Sequence, residues 1–194
     1  VLTAKQKIAM STDYDWFIHA DADEWLCAPR RGETLATAIA RADREGFTCI
    51  NFHELAFVPI EGEDFEAEDY SSRMTTYYFF QPYYPRLMRG WKAGAGLDNV
   101  ETGGHMVGGE QRRVCPEDFY LRHYISLSES YVRRKYLYRK FSEEGLARGW
   151  HKNRLSIPPE NLRVRPVPGM RSLPHAASME FDLSQPFTKH FWQW

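Results

Sequence analysis

The sequence predicts an α/β fold, with a mixed sheet flanked by helices and an extended C-terminal tail. Three observations lead there. Runs rich in aromatic and β-branched residues recur at 14–20, 47–58 and 119–124, as expected of buried strands. Leu35, Ala38, Ile39 and Ala42 recur at helical spacing, with Gly46 where a glycine commonly ends a helix. After Trp150 proline becomes frequent and periodicity fades, so residues 152–194 read as a proline-rich tail behind a core of residues 1–151.

The remaining elements follow in order. Residues 3–10 read as the end of a helix that Thr3 can cap. The acidic cluster 21–24 falls at the C-terminal end of the strand at 14–20, which is where ligands bind in open α/β sheets. Pro29 and Gly32 mark a loop, and residues 61–70 are acidic, unpatterned and expected to be exposed. The aromatic stretch 77–91 carries Pro82 and Pro85, which exclude a regular helix. Residues 90–109 are glycine-rich around Gly103, Gly104 and His105. Ser126 and Glu129 have capping-box spacing ahead of a basic helix expected to run to about Arg148.

Composition narrows the function classes. At 43% hydrophobic and 15% aromatic the chain can build a core, which excludes disorder as a description of the whole. Its 25 basic residues against 26 acidic ones lack the basic excess of a nucleic-acid binder, although a local basic cluster can still hold a small anion. Cys27, Cys49 and Cys115 are odd in number and widely spaced. They fit neither a zinc site nor a disulfide framework and read as reduced thiols of a cytoplasmic protein. No stretch approaches the ~18 apolar residues of a transmembrane segment. The first residues lack a signal-peptide layout and an initiator Met, so the chain is expected to begin within a longer protein.

The chemistry concentrates in Asp21, Asp23 and Glu24. Three like charges within four residues repel one another and resist desolvation. A divalent cation relieves that conflict. Oxygen ligands suit Mg²⁺ or Mn²⁺, and Mg²⁺ is usually held by one or two carboxylates plus substrate phosphates. The plainer alternative is a solvated acidic turn. Trp16, Phe17 and Ile18 before the cluster, with Trp25 and Leu26 after it, favour a buried-edge position over that alternative.

The segment WFIHADADEWL (16–26) resembles the strand-plus-DxD segment of family-2-like bacterial glycosyltransferases with the GT-A fold. The similarity continues in order through YYFFQPYYPRLMRGWKAG (77–94), GGH (103–105), VCPEDFYLRHY (114–124) and SLSESYVRRKYLYRKFSEEGLARGWH (126–151). It implies a partial GT-A fold over residues 1–151, lacking most of the N-terminal units that hold the nucleotide. It implies that Asp23 ligates the metal, that Asp21 assists the metal or the donor, and that a C-terminal histidine completes the metal shell. His123 is the best match and His105 the second, while His53 and His19 are expected to be structural. Gly103 and Gly104 would let backbone N–H groups approach an anion.

Further candidates are chemical. Glu24 would support the carboxylates. Arg122, Lys92 and the helix residues Arg133, Arg134, Lys135, Arg139 and Lys140 could neutralise a leaving diphosphate, although most of the helix set should be an ordinary solvated face. An inverting transfer needs a carboxylate base, for which Glu101 and then Asp98 are the candidates. Tyr77, Tyr78, Trp91 and Trp150 could stack on sugar rings, although aromatic stripes are more often core.

The expected function is metal-dependent transfer of a sugar from a nucleotide-diphosphate donor to a hydroxyl of a glycan or lipid-linked acceptor. Mn²⁺ or Mg²⁺ would be the cofactor, and the protein would be cytoplasmic or peripheral at a membrane surface. Two alternatives stay open. One is a metal-dependent phosphoesterase, which would need a second metal about 4 Å from the first. The other is a truncated, inactive transferase acting as an acceptor-binding module.

Overall fold

The computed structural model describes residues 2–67, 69–149, 154–155 and 157–194. The chain is a mixed α/β protein with few helices and a mixed sheet. It divides into two compact units, the first of Val1–Glu54 and Tyr83–Arg122, the second of Leu55–Pro82 and His123–Trp194.

In the first unit, β1 (Trp16–Ile18) lies antiparallel to β5 (Met88–Lys92), with Phe17 opposite Trp91. β5 lies antiparallel to β3 (Cys49–Phe57), and a register shift falls between Ile50 and Asn51. β6 (Phe119–Tyr124) pairs with β3 and with β2 (Glu24–Cys27). Of the expected strand at 14–20 only Trp16–Ile18 is regular, because the chain turns at His19 to begin β2. Helix α1 is Leu2–Met10. Helix α2 (Leu35–Arg44) starts where Thr34 and Thr37 exchange side-chain and backbone hydrogen bonds. It ends ahead of Gly46, whose φ of +81° few other residues tolerate. Its small residues Ala38 and Ala42 let it pack closely on Ile50, Phe52, Leu87, Phe119 and Leu121.

The second unit holds the end of β3, α3 (Tyr70–Arg73), β4 (Thr76–Phe80), α4 (Glu129–Leu137), α5 (Glu143–Ala147) and β7 (Arg171–Ser172). The basic helix expected to reach Arg148 is two helices. Ser142 offers a second start, its hydroxyl accepting from the Gly145 N–H, so the chain breaks after Leu137 and resumes at Glu143. The cap of α4 is Ser128 and not Ser126. Ser128 has an extended backbone and accepts from the Tyr131 N–H, whereas the Ser126 hydroxyl donates to the Ser128 carbonyl.

The C-terminal segment has little regular structure, but it is no detached tail. Leu162, Val164, Phe191 and Trp192 are buried with Ala56, Val58, Tyr78, Phe80 and Ile125 in the core of the second unit. Proline-rich backbone cannot donate a full ladder, and here apolar side chains dock it instead. β7 adds an antiparallel pairing to β4, Thr76 opposite Ser172. Among the described residues no helix is long and apolar enough to cross a membrane.

The acidic loop at 61–70 is largely exposed, yet Phe65 is buried and Glu66 reaches the start of α4. The Glu66 carboxylate accepts from the Ser128 and Ser130 hydroxyls and pairs with Arg134. Those hydroxyl donors, Ser128 first, and then Arg134 draw its pKa down to about 2. A depressed carboxylate contributes stability that is complete above its ordinary pKa and lost as pH falls toward the folded value. The wild-type urea midpoint should therefore drop between about pH 4.5 and about pH 2. Glu66→Gln should be less stable at neutral pH and should show a shallower pH slope across that window.

Candidate functional site

The HADADE segment forms the turn from β1 into β2, inside the first unit. His19 extends the β1–β5 ladder by one bond, its N–H donating to the Arg89 carbonyl at 2.8 Å. The turn then locks on itself. The Glu24 N–H donates to the Asp21 carbonyl at 3.1 Å. The Asp21 N–H in turn donates to Glu24 Oε2 at 3.0 Å.

Arg89 sits under this turn with 3% of its side chain exposed. One guanidinium nitrogen, Nη2, donates to Glu24 Oε1 at 2.5 Å and to Asp21 Oδ2 at 3.3 Å. The other, Nη1, donates to the Gly104 carbonyl at 3.1 Å. The two carboxylates differ sharply in environment, since the Glu24 side chain is 3% exposed and that of Asp21 is 56% exposed. Glu24 is the internal counter-ion, and Asp21 presents its charge to solvent. Neighbouring His19, and then the Arg89 charge, hold the Asp21 carboxyl well below the usual carboxylate range, against the opposing effects of burial and of Asp23. Asp21 is thus ionised across the physiological range.

The glycine-rich loop closes the site from the other side. An antiparallel bridge joins Asp98 to Gly108, and the Met88 N–H donates to the His105 carbonyl at 2.8 Å. Asn99 and His19 are both buried, with Asn99 Nδ2 2.9 Å from His19 Nδ1. Gly104 has φ +88°, and a Cβ there would lie 2.5 Å from His19 Cε1. Only glycine satisfies both the backbone conformation and that approach.

The other predicted residues are placed unevenly. Asp23 is half-buried in the same turn as Asp21. Among the described residues no group of three or more His, Cys, Asp or Glu side chains is arranged to hold a metal ion. His123 is half-buried on β6 and belongs to the second unit. His105 is exposed on the glycine-rich loop. Glu101 is exposed on that loop, while Asp98 turns its carboxylate onto the Val100 N–H at 2.9 Å. Lys92 pairs with Asp43, whose carboxyl it holds below the usual range, and Asp43 also accepts from Trp16 Nε1. Arg122 is buried next to Cys27, where its charge partly offsets the upward push of burial on that thiol.

Several stacking and basic candidates have structural partners instead. Trp91 is 6% exposed and packs with Met88, Ala95, Leu97 and Val107. Tyr77 and Tyr78 are wholly buried, and Trp150 lies outside the described residues. A covered ring face cannot stack on a sugar. Arg133 pairs with Glu129, Arg134 with Glu66, and Lys135 donates to the Ile125 carbonyl.

Sequence reasoning missed Arg89, Asn99 and the positional role of His19. Arg89 left one signal, a cation between apolar neighbours inside the strand Met88–Lys92, whereas the second cation, Lys92, stands at its end; an interior cation demands a buried counter-charge. Among the described residues the exposed aromatics of this unit are Tyr14, Trp25, Tyr83 and Tyr84, not the ones the sequence singled out. No family model matches the chain, and neither a curated protein nor a solved structure matches it.

Two stability measurements check this geometry. Arg89→Met takes the guanidinium away from the buried Glu24 carboxylate and should cost about 3–5 kcal/mol in urea unfolding. The double variant Arg89→Met/Glu24→Gln should recover most of that loss. Gly104→Ala should cost more than Gly94→Ala, because both have positive φ but Gly94 has nothing within 4 Å of its missing Cβ. The Gly94 variant carries only the backbone penalty of ~1–2 kcal/mol.

Proposed function

We propose that this chain is a metal-dependent glycosyltransferase, moving a sugar from a nucleotide-diphosphate donor to an acceptor hydroxyl. The observation that carries it is the Asp21 carboxylate, exposed at the end of β1 and kept ionised by His19 and buried Arg89. It supports the resemblance of residues 16–26 to a DxD strand.

The donor set fits one ion of Mn²⁺ or Mg²⁺ that arrives with phosphate ligands. Asp21 and Asp23 would hold it, their residual repulsion being what a cation relieves. When bound, such an ion supplies electrostatic stabilisation to the diphosphate as it leaves. The buried Arg89–Glu24 pair holds the turn from within the protein, which would lower the ordering cost of donor binding. As the acceptor oxygen bonds to C1 of the sugar, the bond from C1 to the diphosphate oxygen breaks. The hydroxyl proton passes to a carboxylate, for which exposed Glu101 is better placed than Asp98, whose Oδ1 already accepts a backbone N–H.

A second reading, binding of an acceptor glycan without transfer, is favoured by the exposed rings of Trp25, Tyr83 and Tyr84. Calorimetric titration with UDP and with GDP separates the two. Metal-dependent transfer predicts saturable heat that requires Mn²⁺ or Mg²⁺ and weakens at least ~10-fold in Asp23→Ala. Unchanged affinity in that variant removes the DxD assignment. No heat from either nucleotide with wild-type protein favours the glycan-binding alternative.

A further inference from the structure

We infer that Asn99 fixes the tautomer of His19, making His19 a positioning residue that presents a hydrogen to Asp21. The inference rests on reading Asp21 as a ligand of the metal and diphosphate. An amide nitrogen carries only donors. The 2.9 Å contact from Asn99 Nδ2 therefore takes the lone pair of His19 Nδ1. A neutral imidazole that accepts at Nδ1 carries its hydrogen on Nε2. That atom faces Asp21 Oδ1 at 3.6 Å.

At 3.6 Å the contact is longer than a formed hydrogen bond. Asp21 is the exposed partner, so a small rotation of its carboxylate closes the gap, as such contacts tighten when a ligand arrives. The imidazole itself is held, being 6% exposed with Asn99 at Nδ1 and the bare Cα of Gly104 beside Cε1. His19 addresses Oδ1 while Arg89 addresses Oδ2. Each carboxylate oxygen has two acceptor directions, so once the His19 contact closes the carboxylate is held from both sides and still has one direction on each oxygen for a ligand.

Two measurements test this. In ¹⁵N-labelled wild-type protein at neutral pH, His19 should show a protonated Nε2 and an unprotonated Nδ1. A hydrogen on Nδ1 overturns the inference, whatever any variant does. In Mn²⁺-dependent UDP titration, His19→Gln places an amide nitrogen near the Nε2 position, whereas His19→Asn can replace only Nδ1. The Gln variant should stay within about threefold of wild type and the Asn variant should fall about 10–100-fold. Equal losses in two folded variants overturn the positioning role. Absence of UDP binding by wild-type protein overturns the functional reading instead, and the nitrogen spectrum still decides the tautomer by itself.

Discussion

The Arg89 guanidinium lies almost wholly out of water, and removing a charge of that size from solvent is offset only by groups set within hydrogen-bond reach. Those groups come from three places along the chain. Glu24 opens β2, Asp21 belongs to the turn before it, and Gly104 lies in the glycine-rich loop. One cation on β5 thereby adds a charged tie to segments that the His19–Asn99 contact and the backbone bonds of His19 and Met88 also join. Glu24 would be equally costly without Arg89, so neither can change alone. The turn owes its shape to this mutual requirement.

Because the guanidinium is shared, two carboxylates of the same intrinsic chemistry acquire different work. Glu24 is buried, accepts from Arg89 and from the Asp21 N–H, and has its charge answered inside the protein. Asp21 takes the weaker contact with Arg89 and keeps more than half of its side chain in solvent. Environment, not residue type, separates structure from chemistry here. The same division explains the glycine-rich loop. Gly104 is needed less to cradle an anion than to let buried His19 lie against the backbone.

Local signals were legible in the sequence, and long-range ones were not. Helix α2 and strand β6 follow from periodicity, a terminal glycine and an aromatic run, which are properties of neighbouring residues. The end of β1 was legible for the same reason, since an apolar run meets an abrupt acidic cluster. The role of Arg89 depends on a carboxylate 65 residues away, and no local pattern encodes that partnership. Trp91 shows the converse failure. Its ring suggested a sugar platform, but it is buried in a cluster with Met88, Ala95, Leu97 and Val107. The tail was misjudged because proline content reports on hydrogen bonding and says nothing of where Phe191 and Trp192 will pack.

The charge count of the turn bears on how many metal ions it could serve. Asp21, Asp23 and Glu24 against Arg89 give a formal charge of three negatives and one positive, a net −2. Without the arginine, three carboxylates would face one another and favour protonation of at least one of them. With it, Asp21 stays ionised, and the remaining negative charge equals that of a single divalent cation. A second divalent ion would bring two positive charges for which the turn has no carboxylate left. That asymmetry weighs against two-metal phosphoester chemistry at this turn. Under the proposed transfer it favours one ion, which would be shared between the protein and the phosphates of a donor, the arrangement in which a pair of carboxylates suffices.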